Sequence, residues 1–245
     1  MVTREAWLTQ FLNGHFAGVG NSLLAMFGQT ADNANAPWAD FIVMQFLVAL
    51  VLILLFAVLR GQLSVDKPGK LQHIFELIHG FIGDEADGQV GHDGHKHTLV
   101  FEVLFLFILA GNLIGIIPGF VSPTQVIYVP VGCAILAFGY YNWVGMKKQG
   151  VGKYLKHFAG PIPAMAPLMI PIEIISHFAR PLSLSVRLFA NMYAGEQVTL
   201  VFLSMTYLIF PALFMGLHVF VSMLQAYIFV LLTMIYVAGA VAEEH

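Results

Sequence analysis

The chain has 245 residues, of which 58% are hydrophobic and only 10% charged, with a formal net charge of −3; its mean hydropathy is +0.80. Soluble domains carry about 25% charged residues, so this composition excludes an ordinary soluble fold and predicts an all-α integral membrane protein, one membrane domain over residues 1–245. A net charge this small points to no nucleic-acid partner, and the single Cys133, set in an apolar run, builds no disulfide framework.

Residues 1–37 read as an external N-terminal segment. They lack the compact apolar stretch and small-residue cleavage site of a signal peptide. The first uncharged run, Phe41 to Leu59, is long enough for one crossing, since a bilayer core takes about 20 apolar residues per helix. Arg60, Lys67 and Lys70 follow it. The stretch "LQHIFELIHGFIG", residues 71–83, places Leu71, Ile74, Phe75, Ile78 and Phe81 on one helical face. It is predicted to be an amphipathic helix lying at the cytoplasmic membrane surface.

The loop "GHDGHKH", Gly91 to His97, brings three imidazoles and an aspartate together. A metal site is one reading. A solvated, glycine-rich connector is the other and is preferred, because no second shell is visible in the sequence. No metal or cofactor is expected. Val103 to Met146 is uncharged and long enough for two crossings, separated by Pro118, Gly119 and Ser122-Pro123-Thr124. Glu102 opens the first of them, at the expected interface. Lys147, Lys148, Lys153 and Lys156 follow the second.

Pro161, Pro163, Pro167 and Pro171 mark the entry to the next helix, because proline suits a helix start better than its interior. The predicted spans are 38–60, 98–119, 124–146, 164–206 and 208–241. The fourth is too long for a perpendicular crossing, so 164–241 is predicted to be a tilted helical hairpin. Both loops rich in Lys and Arg belong in the cytoplasm by the positive-inside rule. That orientation puts the N-terminus outside and the terminal "AEEH" inside. No internal repeat is visible.

Ionisable residues inside a span are functional candidates by default, because a central Arg costs about 2.5–3.5 kcal/mol even on mild insertion scales. The candidates are Glu102, Glu173, His177, Arg180, Arg187, Glu196 and His218, with the amides Asn112, Asn191 and Gln225. A hairpin turning near 205–211 places Glu196 level with His218 and Arg187 level with Gln225. Arg187 and Asn191 share a helix face. Glu196 lies about 13.5 Å beyond Arg187 and about 180° round the helix, and Glu173 about 21 Å the other way. The carboxylates are therefore too distant to neutralise Arg187, whose own pKa keeps it charged. Its carboxylate partner is expected from another subunit. A cation snorkelling to a headgroup is the competing reading, which the midspan position of Arg187 opposes and the position of Arg180 allows.

The segment "RPLSLSVRLFANMYAGE" resembles the signature of subunit a of F-type ATP synthases. "LQAYIFVLLTMIYVAGAVAEEH" resembles that family's last helix, and "GNLIGIIPG" with "SPT" its earlier spans. The resemblance covers most of the chain from the second span onward. It implies a bacterial plasma (inner) membrane protein that is not catalytic alone. Such a protein forms two offset proton half-channels and couples proton flow to rotation and ATP synthesis. Implied partners are the c-ring rotor subunits, the b-type peripheral stalk, the remaining ATP synthase subunits and the lipid bilayer. Arg187 matches the essential stator arginine that faces the rotor carboxylate, with Asn191 and Gln225 close to it. Glu196 and His218 match the outer half-channel pair. Glu173 matches the cytoplasmic side, with His177 and Ser183 on the same path, and Asn112 matches an amide of the earlier spans. Two departures stand out: "QVIYVPVG" lacks the Asp or Asn frequent in the family, and Ala190 replaces a frequent Gly. A lone transporter or channel would show a self-contained site, and an intramembrane hydrolase a nucleophile–base pair or H-E-x-x-H. A quinone-linked proton-pumping subunit would not copurify with a ring of small hairpin subunits.

Overall fold

The computed structural model describes residues 6–26, 28, 30, 33–64, 67–91, 93–117, 119–152, 154, 166–205 and 209–241. The expected positions of Pro161, Pro163, Lys153, Lys156, His92 and the terminal "AEEH" lie outside the described residues.

Among the described residues the fold is carried by α1 (Trp7–Met26), α2 (Asp40–Gln62), α3 (Lys70–Val90), α4 (Thr98–Ile114), α5 (Tyr128–Gln149), α6 (Ala166–Met205) and α7 (Ile209–Val241). Short 3-10 turns precede α4 and α5, and no strand occurs among the described residues. Helix α2, helix α5 and residues Ala212–Val241 are long and apolar enough to cross a membrane, and α4 is apolar over 17 residues. The chain is thus an all-α membrane-spanning protein.

The N-terminal segment, read from the sequence only as external, forms α1. It is tied to the start of α2 by polar groups: Asn13 exchanges two hydrogen bonds with the Trp38 backbone, the Trp38 indole donates to Phe16 O, and Asp40 accepts from Ala6 N. Helix α3 extends past the predicted 71–83 and stops where Gly91 takes φ 85 and donates to Asp87 O. Its apolar face divides. Ile78, Ile82 and Ala86 pack into the core, whereas Leu71, Ile74, Leu77 and Phe81 stay exposed. Phe75 meets Phe56 of α2 at 5.2 Å.

Helix α6 has 40 residues, about 60 Å of helix against a bilayer core of about 30 Å. Only a steep inclination keeps such a helix at the membrane. Pro171 and Pro181 lie within it. Helix α7 returns antiparallel to α6 and also packs on α3, α4 and α5. The core sits between these elements, around Phe101, Ile108, Tyr141, Leu188, Met192, Phe229 and Val237.

Candidate functional site

The contact line between α6 and α7 determines which polar groups meet. Leu188 and Met192, one turn apart, are buried on α6, opposite Ala226, Phe229 and Val230 of α7. Asn191 donates to Gln225 Oε1 at 2.6 Å across this seam. Ser222, one turn before Gln225 on α7, reaches Met192 Sδ at 3.7 Å. Gln225 is 1% exposed, and its Nε2 has no partner among the described residues. Arg187 is half-buried, one turn from Asn191 on the same face, and makes no ion pair or side-chain hydrogen bond with a described residue. The sequence placed Gln225 level with Arg187. Gln225 bonds Asn191, one turn beyond Arg187, and Ser222 meets Met192 in the adjoining layer.

Toward the α6–α7 turn, Glu196 and His218 are both half-buried. They make no hydrogen bond to each other among the described residues. The His218 imidazole lies on Gly195 and bonds to its backbone, where Thr199 also donates to Gly195 O at 2.8 Å. Gly195 has space for His218 only because it lacks a side chain: a Cβ there would collide with Nδ1 and stand 2.7 Å from Cε1. This residue was not singled out from the sequence, although a glycine beside a midspan carboxylate was the available signal.

At the other end of α6, three of the candidates form one cluster. Arg180 lies 3.8 Å from Glu173 and over the Tyr236 ring at 5.4 Å. Arg180, whose position allowed a snorkelling cation, thus has an acidic and an aromatic neighbour. His177, buried on the same helix, stands 2.9 Å from Asn142 Oδ1, and Tyr154 donates to that same oxygen at 2.8 Å. Asn142 was missed as a single polar residue in an aromatic stretch, and Tyr154 because it stands among the lysines of a basic loop. Gln149, Tyr154, Glu173, His177, Arg180, Gly239 and Ala240 enclose a cavity of about 200 Å³. Ser183 is exposed on α6 and outside this cluster.

Asn112 is fully buried. It donates to Ser222 O at 3.2 Å and accepts from Thr124 at 2.6 Å. Thr124 Oγ1 lies 2.8 Å from the Ser122 hydroxyl, which donates to Gly111 O. The "SPT" turn is thus the hydroxyl end of a buried network that fixes α4 to α7 beside the Asn191–Gln225 seam. This supplies polar contacts from the turn before α5 where the sequence lacks the expected Asp or Asn.

Two further candidates lie elsewhere. Glu102, expected at the interface, is buried and bonds His79 of α3 at 2.9 Å. In the His-rich loop, Asp93 binds Lys96 at 2.6 Å and Lys148 at 3.4 Å, and His97 bonds Tyr140 at 2.7 Å. Among the described residues no three His, Cys, Asp or Glu side chains converge as a metal site would require.

Helix α6 therefore carries three polar stations separated by apolar packing: a carboxylate–guanidinium–imidazole cluster, an unneutralised arginine beside two amides, and a carboxylate near an imidazole. The family described as ATP synthase A chain matches residues 42–238. The chain is 61% identical over 233 residues to ATP synthase subunit a of Solibacter usitatus, covering 95% of this chain and 99% of that protein. It is 44% identical over 241 residues to ATP synthase subunit a of Koribacter versatilis, covering 98% of each. It is 40% identical over 226 residues to ATP synthase subunit a 1 of Syntrophotalea carbinolica, covering 91% of this chain and 96% of that protein.

Proposed function

The chain belongs to the ATP synthase subunit a family, the membrane-embedded proton-transport component of ATP synthesis, and on that premise we propose that it is the stator of the rotary motor and presents Arg187 to the carboxylates of a rotating c-ring. Its other subunit contacts are then with the b-type peripheral stalk. Two offset half-channels lead to Arg187. Glu196 and His218 serve the outer one, and Glu173, His177 and Ser183 serve the cytoplasmic one. Asn191, Gln225 and Asn112 form the polar lining between them. The protein sits in the bacterial inner membrane with its N-terminus outside, its C-terminus cytoplasmic and 71–83 at the cytoplasmic interface.

The observation that carries this reading is the half-buried Arg187, unpaired among the described residues beside the Asn191–Gln225 seam. A guanidinium in an apolar span needs a counter-charge. A partner that arrives and leaves satisfies this need only while it is ionised. A rotor carboxylate therefore loses its proton to one half-channel, is held by Arg187, and departs once reprotonated from the other. The neutral acid enters lipid readily, and the carboxylate does not. Each proton crossing the membrane delivers about 2.3 kcal/mol per 100 mV.

The test is ATP-driven proton pumping by vesicles containing the whole complex with Arg187→Ala. Loss of pumping with subunit assembly and ATP hydrolysis retained supports the proposal. Normal coupled pumping by Arg187→Ala returns Arg187 to a structural role and overturns it.

A further inference from the structure

The cavity at the start of α6 has walls of a definite chemistry. Its volume of about 200 Å³ holds several waters, each of which occupies about 30 Å³ in the liquid. Glu173, His177 and Arg180 come from α6, Gln149 from the end of α5, Gly239 and Ala240 from α7, and Tyr154 from the segment after α5. We propose that this cavity is a water-filled proton chamber in which His177 is the group that takes up and returns the proton, and in which Asn142 and Tyr154 are positioning residues that hold the imidazole in a single tautomer. The proposal rests on the reading of the chain as a proton-conducting stator and gives its cytoplasmic half-channel a definite wall.

The hydrogen bonds assign the proton on the ring. Asn142 Nδ2 donates to Phe138 O at 2.7 Å, which settles the amide orientation and turns Oδ1 toward Tyr154 and His177. An amide oxygen only accepts. Tyr154 gives it one hydrogen at 2.8 Å, and His177 Nε2, at 2.9 Å, gives the other. Nε2 of the neutral ring therefore carries the hydrogen and Nδ1 the lone pair. The Tyr141 hydroxyl lies 3.3 Å from Nδ1 and 3.4 Å from Nε2, both long contacts. Proton uptake at Nδ1 gives an imidazolium whose Nε2–H still bonds Asn142. Release from Nδ1 restores the starting ring. One proton enters and one leaves, and no other bond changes.

Charges of both signs face the ring. Among the described residues, the titratable and charged groups facing His177 are Glu173 and Arg180 on α6, Tyr141 on α5, Tyr154 and, through Arg180, Tyr236 on α7. Arg180, which also bonds the Tyr141 hydroxyl, opposes an imidazolium, and Glu173, 3.8 Å from the guanidinium, favours it. Phe138, edge-on to the His177 ring at 4.9 Å, fixes its plane. Tyr154 reaches Asn142 by lying directly on Gly145, where a Cβ would come within 2.7 Å of its ring. Backbone at Gly145 thus admits the strap that orients the amide.

The experiment uses inside-out vesicles carrying the whole ATP synthase, with initial pumping rate measured against the pH of the medium, which is the cytoplasmic side. His177→Ala is expected to lower the rate several-fold with ATP hydrolysis intact, and imidazole added to the medium is expected to restore part of it. Asn142→Asp places a carboxylate on Nε2–H and is expected to move the cytoplasmic limb of the profile upward by about one pH unit. A wild-type rate and profile in His177→Ala overturns the proposal. So does a lowered rate that imidazole leaves unrestored together with an unmoved Asn142→Asp profile, which is the signature of a purely structural histidine. Should His177→Ala not assemble, the Asn142→Asp profile decides by itself, a shift supporting the chamber and no shift refuting it. Arg187→Ala in parallel separates the two levels: pumping by that variant defeats the stator reading, whereas its failure beside a normal His177→Ala defeats only the chamber.

Discussion

Gly195→Ala tests the seam where His218 meets α6. An added Cβ would overlap His218 Nδ1, stand 2.7 Å from Cε1 and 3.5 Å from Cγ. These are ring atoms, so no flexible tip can bend away; the imidazole must leave Gly195 or the two helices must separate. Overpacking of this kind costs about 1–3 kcal/mol. For a chain of this size each kcal/mol moves Tm by about 2–4 °C, so the expected drop is about 2–12 °C. The assay is thermal unfolding of the purified subunit in detergent, followed by tryptophan fluorescence. The same substitution is then made in a His218→Ala background, where the colliding ring is gone. There Gly195→Ala is expected to change stability by less than about 0.5 kcal/mol, the range of substitutions that meet nothing. The coupling between the two sites then equals nearly the whole cost. A wild-type Tm for Gly195→Ala refutes the close approach, and an equal loss with and without His218 refutes its assignment to the imidazole.

Asn112→Ala removes the acceptor of Thr124 and the donor to Ser222 O in a fully buried network. It is expected to cost about 1–3 kcal/mol through groups left unsatisfied, read as a lowered Tm in the same assay, with Thr124→Val on the Asn112→Ala background adding little. The loop before α4 carries an acid-sensitive pair outside the spans. Burial is the main force holding the His97 pKa below 6.5, with Asp93 opposing it. A histidine depressed in the folded state contributes stability above its unfolded value and loses it as pH falls through the folded one. Asp93, held below 3.8 first by its hydrogen bond to Lys96 and further by Lys148, contributes in the same sense above 3.8 and loses it at lower pH. Fluorescence of Trp143, next to Tyr140, is therefore expected to change in two acid steps when it is the only tryptophan. His97→Phe should erase the first step and leave the second; persistence of both in that variant would place the upper step elsewhere.

Much of the fold was legible because a bilayer imposes a simple rule: an uncharged run of sufficient length is a helix. The runs at 41–59 and 103–146 became α2, α4 and α5 with ends displaced by a few residues. The polar residues of α6 and α7 were conspicuous for the same reason, standing out against an apolar background. Their partners were not. Asn112 reaches Ser222 over a separation of 110 residues, and no local pattern encodes such a meeting. Asn142 looked like a lone polar residue among aromatics until Phe138, Tyr154 and His177 supplied its bonds. Gly195 and Gly145 act through the space they leave, which becomes visible only when His218 and Tyr154 are seen to occupy it. The α1 helix was missed because its hold on α2 combines hydrogen bonds through Asn13, Trp38 and Asp40 with a small apolar contact of Leu8 and Leu12 on Val43 and Met44.

The contrast between the charged groups of the bundle explains why the unpaired ones matter. Glu102 has His79, and Arg180 has Glu173 and the Tyr236 ring. Those pairs let the chain bury charge at a tolerable cost, because each ion has a partner that stays with it. Arg187 has none among the described residues, and neither does Glu196, about 13.5 Å further along α6 and on its opposite side. Folding alone would favour an apolar side chain at Arg187, since replacing buried charge by well-packed hydrophobic groups is often neutral or stabilising. The neighbouring amides do not remove this cost: Asn191 and Gln225 bond each other, and an amide cannot supply the missing negative charge. What they do is keep polar atoms at the same depth, so that a carboxylate meeting Arg187 would find hydrogen-bond donors as well as charge. Gln225 Nε2, buried and without a partner among the described residues, is one such donor. Among the described residues a charge and a donor are thus left unanswered in adjacent turns of this seam, and the visiting carboxylate proposed above would answer both.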